Sequence, residues 1–382
     1  MILGIDASNL RAGGGLTHLA ELLRAARPET FGFERVVVWS GRRTLDALPT
    51  APWLTPAHSP LLDGPLPARV LWQRVHLPRL ARDIDVLLSP GGTAPPSLHP
   101  QVVISQNMLP FDPKERGRYG ASWPHARLLA LRVVHGRAFS HADGVIFLTE
   151  FARERICVAL GDERPQQTAI VPHGVDARFR APPRPQRPLA ACSPDDPLRM
   201  LYVSVVSPYK HQWVVAEAVA RLRAQGLPLA MTFVGAKENP PSMARLREVM
   251  RRRDPAGDFL TLRGAVPFAE VHRSYQEAEL FVFASSCENM PNILIEAMAA
   301  GLPIACSDRG PMPEVLRDAG AYFDPEDVDD TAAALRRLAE DDGLRTRCAA
   351  RAWALSEQFS WARCADETLA FLAETAARTP RR

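Results

Sequence analysis

The chain is predicted to be an α/β protein built from two doubly wound, Rossmann-like halves, and three observations predict it. Short apolar runs alternate with helical periods along the sequence, 382 residues exceed one typical core, and a proline-rich stretch interrupts the alternation near the middle. These place a first domain at 1–180, a linker at 181–197 and a second domain at 198–358.

The first half opens on the strand MILGID, followed by a helix over THLAELLRAA and the apolar runs RVVVWS, DVLLSP, VVISQ and GVIFLT. Runs of this length, bounded by turn residues, read as buried parallel strands. The second series begins at MLYVSVVS and continues through the helix WVVAEAVARLRA, the strand LAMTFVG, the segment FLTLRG, the helix VHRSYQEAE and the strand LFVFASS. Between the two, APPRPQRPLAACSPDDP carries too much proline for a regular element. No internal sequence repeat is visible.

Hydrophobic content of 46% and charged content of 23% are those of a soluble globular protein. No apolar run approaches the ~20 residues of a membrane span. The start, MILGIDASNL, reads directly as a strand and lacks the features of a signal peptide, so a cytoplasmic protein is expected. The six cysteines show neither a CxxC pair nor metal-ligand spacing, which suggests reduced core residues. Net charge is +3, but residues 1–180 hold 21 Lys+Arg against 16 Asp+Glu. The excess gathers in Lys114, Arg116, Arg118, Arg127, Arg132 and Arg137, opposed only by Glu115 and with Trp123 among them. That segment, Lys114–Arg137, reads either as a peripheral contact with an anionic membrane surface or as a solvated helix face. No nucleic-acid partner is expected.

The stretch Ala284–Asp308, ASSCENMPNILIEAMAAGLPIACSD, carries the chemistry. LFVFASS delivers its end to a helix mouth, Pro291 suits the first helical position, and Asn289 or Met290 then falls at the cap. Glu288 lies on the loop at the sheet's carboxyl edge and Glu296 just inside the helix, with backbone N–H groups between them that attract phosphate. Two carboxylates flanking a phosphate cradle suit neutral diols such as a ribose and a hexose. The combination suggests a nucleotide sugar.

The run ENMPNILIEAMAAGLP resembles the E-x7-E signature of the retaining glycosyltransferases of family 4, which have the GT-B fold, two Rossmann-like domains facing across a cleft. The resemblance implies that Glu288 faces the donor sugar, Glu296 holds the ribose, and Asn289, Met290, Asn292 and Ile293 meet the sugar and diphosphate through backbone amides. It implies a phosphate-binding role for Lys210, in YVSVVSPYKHQW; the family's preceding Arg is replaced by Val205, with Ser207 and Tyr209 the nearest polar groups. Gly14 and Gly15, in the glycine run Gly13–Gly15, would face the donor, and Gly264 and Val266 would lie in the loop that reads the base. VPHGVDARF resembles the segment that ends the family's first domain, with His173 in a structural role. FSWARCADETLAFLAE, from Phe359, resembles the family's final helix, so the segment 359–382 is expected to return to the first domain.

VVISQNMLP departs from the family, many of whose members carry a His at the place of Gln106. Gln106 and Asn107 can orient the sugar by hydrogen bonds but cannot act as acid or base. The expected reaction is same-face transfer, a donor phosphate oxygen taking the acceptor's proton while Lys210 and the helix amides stabilise the leaving diphosphate. No Asp-x-Asp motif stands where a sheet end would present it to Mg²⁺, so metal dependence is not expected, and no other cofactor is expected either. The expected partners are a nucleotide-diphosphate sugar and a glycan or polyprenyl-linked acceptor of bacterial surface polysaccharide synthesis. A nucleotide-sugar epimerase and a catalytically silent binding protein are the competing readings; epimerised sugar without acceptor, or binding without turnover, would mark them.

Overall fold

The computed structural model describes residues 1–11, 13–236 and 239–379. It divides into two compact units: Met1–Arg116 with Ala121–Gly174 and the segment from Phe359, and Gly117–Gly120 with Val175–Gln358. Both are parallel sheets flanked by helices.

In the first unit, seven strands run β1 (Ile2–Asp6), β2 (Arg35–Ser40), β3 (Leu54–His58), β4 (Val86–Ser89), β5 (Gln101–Ile104), β6 (Gly144–Phe147) and β7 (Thr168–Ile170). They lie in the order β3-β2-β1-β4-β5-β6-β7, every pair parallel. β4, β5 and β6 are buried at every position, as continuous apolar runs covered on both faces must be. The helix Trp361–Arg378 belongs to this unit and packs on the helix Gly14–Ala25 and on β4. Ser360 starts it, its Oγ accepting from Arg363 N at 3.1 Å. Two glycines make room for it: a Cβ at Gly144 would stand 2.7 Å from the Phe371 ring, and one at Gly174 only 2.2 Å from Trp361 N.

In the second unit, six strands run β8 (Leu198–Val203), β9 (Leu229–Val234), β10 (Leu260–Gly264), β11 (Leu280–Phe283), β12 (Ile304–Ser307) and β13 (Ala321–Phe323), ordered β10-β9-β8-β11-β12-β13 and all parallel. The order reverses between β8 and β11, which pair with Phe281 opposite Leu201. Such a reversal opens a crevice at the carboxyl ends of the strands.

The proline-rich segment expected as a linker is part of the second unit. Apart from a short turn at Leu189–Ala191 it forms no helix or strand, yet it is fastened along its length. Ala181 N donates to Ala299 O at 2.9 Å, Arg184 donates to Gln276 O at 2.6 Å, and Arg187 pairs with Glu279 at 3.2 Å. Proline cannot join a ladder, so side-chain arginines supply the attachment. The units divide at Gly174 and Val175, ahead of position 180.

Candidate active site

Lys210 and Glu288, 78 positions apart in sequence, form an ion pair at the reversal point of the second sheet. The strands explain it. β8 ends at Val203, and its loop carries Lys210 on a turn in which Lys210 N donates to Ser207 O at 3.1 Å. β11 ends at Phe283, and its loop carries Glu288. The two loops are tied together: Ser286 N donates to Tyr209 O at 2.8 Å, and His211 Nε2 lies 2.9 Å from Ser286 Oγ. From beneath, Tyr202 Oη donates to Lys210 O at 2.5 Å. The Lys210 ammonium also sits 5.1 Å from the Tyr209 ring centre and 5.2 Å from that of Phe283, where ring quadrupoles favour a cation. Lys210 is buried and Glu288 half-buried, so the charges meet away from bulk water.

The helix after Glu288 runs Asn292–Ala299. Pro291, expected from sequence at the first helical position, is instead the cap. Its ψ of 78° is not helical, and its carbonyl accepts from Ile295 N at 3.2 Å, the bond that defines a cap. Ahead of it Asn292 N closes a turn on Met290 O at 3.0 Å, so neither Asn289 nor Met290 caps the helix. Asn289 and Met290 are buried in this turn; Asn292 and Ile293 are half-buried in the helix's first turn.

Glu296 accepts from Tyr275 Oη at 2.8 Å. Burial, which penalises its charge, raises its pKa to about 7; the Tyr275 hydrogen bond acts against that shift, Asp176 adds to it, and Arg178 opposes it. Burial pushes the Tyr275 phenol well above its ordinary value, with Glu296 adding to the shift, so Tyr275 remains a donor. Tyr275 is set by an edge contact with Phe179, ring centres 5.6 Å apart. Sequence reasoning missed Tyr275, Tyr202, His211 and Ser286, because each meets its partner through loops and strands distant in sequence.

Gly264 ends β10 with φ of 79°, a conformation open chiefly to glycine, and its carbonyl accepts from Gly235 N at 2.8 Å. Val266 follows, half-buried. Both lie at the carboxyl edge of the sheet that also carries Lys210 and Glu288. Ser207 is buried in the Lys210 loop.

The remaining candidates belong to the first unit. Gly13, with φ of 74°, turns the chain into the helix that starts at Gly14. At Gly15 a Cβ would stand 3.1 Å from Gln106 Oε1, so glycine admits that side chain. Gln106 Nε2 lies 2.8 Å from His18 Nδ1, and His18 is buried in a stack on His173 with ring centres 4.3 Å apart. Burial, then the nearby His173, holds His18 well below the ordinary histidine range, so it is a neutral partner for the amide. Gln106 is thus engaged with a histidine that sequence reading passed over. Asn107 points elsewhere: its Oδ1 accepts from Leu109 N at 3.2 Å.

Two of the six basic residues expected on the charged segment are spent internally. Arg116 is buried and donates to Pro110 O at 2.7 Å, and Arg118 pairs with Glu326 at 2.8 Å. Arg127, Arg132 and Arg137 are exposed on the helix Trp123–His141 beside exposed Trp123, Leu129, Val133 and Val134. Among the described residues no helix is long and apolar enough to cross a membrane.

Two parallel-sheet, Rossmann-like units with a charged crevice at a sheet's carboxyl edge define a class, and similarity to known proteins narrows it. Residues 190–353 match the family described as glycosyl transferases group 1. Over 106 residues the chain is 38% identical to the O-antigen chain mannosyltransferase B of Escherichia coli, covering 28% of this chain and 28% of that protein. It spans 53% of another curated relative, so about half or less of the proteins it matches in this way. Solved structures share the fold across nearly all of both chains, these two among them. Sucrose-phosphate synthase from Thermosynechococcus elongatus has a TM-score of 0.76 at 18% identity, covering 99% of each chain. Anabaena HepE, solved in complex with UDP-glucose, has a TM-score of 0.70 at 17% identity, covering 97% of this chain and 99% of that one. The architecture is that of GT-B glycosyltransferases.

Proposed function

We infer that the protein is a retaining, family 4 glycosyltransferase that moves a hexose from a nucleotide-diphosphate sugar to a glycan or polyprenyl-linked glycan of bacterial surface polysaccharide. The observation that carries this reading is the Lys210–Glu288 pair at the β8/β11 reversal, with Glu296 on the helix that follows. The group 1 match covers these three residues, and an O-antigen mannosyltransferase and a UDP-glucose complex among the similar proteins support the acceptor and donor classes.

Lys210 is the group that meets the donor's diphosphate. Its ammonium is already desolvated and held by Glu288, so an arriving diphosphate exchanges for that carboxylate at little cost in ordering. Glu288, released, turns its oxygens to the hexose hydroxyls. Negative charge then grows on the leaving diphosphate beside Lys210 and the backbone amides of Met290 and Ile293, where a preorganised charge stabilises the transition state most; the Asn292 amide is engaged with Met290 O. Glu296 accepts from the ribose diol with Tyr275 fixing its orientation. The acceptor's proton passes to a donor phosphate oxygen, which requires no acid or base from Gln106 or Asn107.

Titrating the protein with UDP-, GDP- and ADP-sugars and following the melting temperature identifies the donor, because a ligand that binds the folded state alone raises it. Transfer to an acceptor with the donor's anomeric configuration in the product, read by NMR, supports the reading. Inverted product or hydrolysis alone overturns it.

A further inference from the structure

The first sheet reverses its strand order between β1 and β4, and the loops that leave such strands diverge and leave room for a ligand. Here the loops are laced to one another. Asn9 Nδ2 donates to Thr93 Oγ1 at 2.6 Å. Gln73 Nε2 donates to the Asp6 carboxylate at 2.5 Å and to Thr93 O at 3.2 Å. Asp6 also accepts from Ser8 N at 3.1 Å, so this buried acid serves its own loop.

Two arginines converge on this mouth and find only neutral acceptors. Arg69 Nη1 donates to Ser8 O at 3.3 Å and to Asn9 Oδ1 at 3.4 Å. Arg11 donates to Asp63 O at 3.0 Å and to Gly64 O at 3.4 Å. Among the described residues neither guanidinium has an acidic partner. The carboxylate of Asp63 is occupied by His58 Nε2 at 2.6 Å and Arg42 N at 2.8 Å. Burial, and then the charge of Arg11, lower the pKa of Arg69. Like charges gathered without a countercharge repel. Arg69 Nε is buried there without a hydrogen-bond partner, a condition few native polar groups keep.

We propose that Arg69 and Arg11, with Ser8 and Asn9, form an anion subsite for a phosphoryl group. Planar guanidinium forks match phosphate oxygens in pairs, which relieves the repulsion and satisfies Arg69 Nε. As the place where a phosphorylated acceptor docks, the subsite rests on the glycosyltransferase reading; as an anion site it stands alone.

The test titrates glycerol 1-phosphate against the full chain and follows the melting temperature, with Lys210→Ala as background so that the second unit's phosphate contact is absent. Stabilisation is expected in that background, and Arg11→Gln or Arg69→Gln should raise the half-saturating concentration at least about tenfold. Arg11 is exposed, so Arg11→Gln should leave the ligand-free melting temperature unchanged. A parallel arm uses phosphatidylcholine vesicles with and without phosphatidic acid. Arg11-dependent binding to the phosphatidic acid vesicles alone also supports the subsite and assigns the phosphate to a lipid. Stabilisation and vesicle binding that ignore both substitutions, or are absent, overturn it. A chain that binds glycerol phosphate through Arg11 yet transfers no sugar would count against the donor reading only.

Discussion

At the scale of single residues, the site depends on how protein surroundings alter two glutamates. Glu296 has a pKa of about 7 against an ordinary 4.5 because burial disfavours its charge. The sign follows from linkage. The folded state holds that proton more tightly than the unfolded chain, so the stabilisation is fully present below about pH 4.5 and is lost as the pH rises through about 7. On the proposed reading donor binding should run the other way, since ribose hydroxyls would donate to the ionised form. Nucleotide-sugar affinity, measured by calorimetry, should therefore strengthen from pH 6 to about 7 and level off above it, and Glu296→Gln should abolish that slope. Glu296→Ala should weaken donor binding about tenfold or more, the worth of a charge-assisted hydrogen bond. Glu288→Gln keeps the shape but loses the charge that holds Lys210. We expect kcat to fall about a hundredfold with a smaller change in donor KM; parental turnover in both glutamate variants would remove them from the site.

At the scale of elements, the crevice exists because strand ends of the second sheet sit closely against each other. Gly235 shows how closely: with φ of 158°, a Cβ there would stand 1.8 Å from Ser204 O. Gly235→Ala must push β9's exit from the loop after β8, and should cost about 3 kcal/mol or more in urea unfolding. Because Gly235 N also holds Gly264 O, the same variant should weaken donor binding. At the return helix, Ser360→Ala removes a cap and should cost about 1 kcal/mol with no effect on donor binding, which separates stability from site geometry. Apolar strands such as β2, β8 and β11 were legible as strands, since burial on both faces needs largely apolar runs. β3, β7 and β13 were not: β3 contains Pro56 and lies at the sheet edge, and the other two have three residues each.

At the scale of the whole molecule, the chain's last helix returns to its first unit and completes that unit's core. Cys364, Ala365, Leu369 and Leu372 are all buried. Ending the chain after Gln358 would strip cover from the helix Gly14–Ala25 and from β4, so the truncated protein should lose cooperative melting and aggregate. A second whole-molecule property is the exposed face of the helix Trp123–His141, apolar and basic together. If it seats the protein on an anionic membrane, Trp123→Ala with Arg127→Gln and Arg132→Gln should abolish co-flotation with phosphatidylglycerol vesicles while leaving nucleotide-sugar binding intact.

By itself the sequence determined the class of architecture and the chemical types at the candidate site. The periodicity of apolar residues is a local property, and the spacing of Glu288 and Glu296 is written within one strand–loop–helix passage. Tertiary structure alone decided which groups those residues meet. Lys210 reaches Glu288 because β8 and β11 are neighbours across a strand-order reversal, and Tyr275 reaches Glu296 across 21 positions. The proline-rich segment became part of a unit because arginines within it found carbonyls and acids far along the chain. Contacts between distant segments depend on how loops close in three dimensions, and no local pattern of residue types encodes that closure.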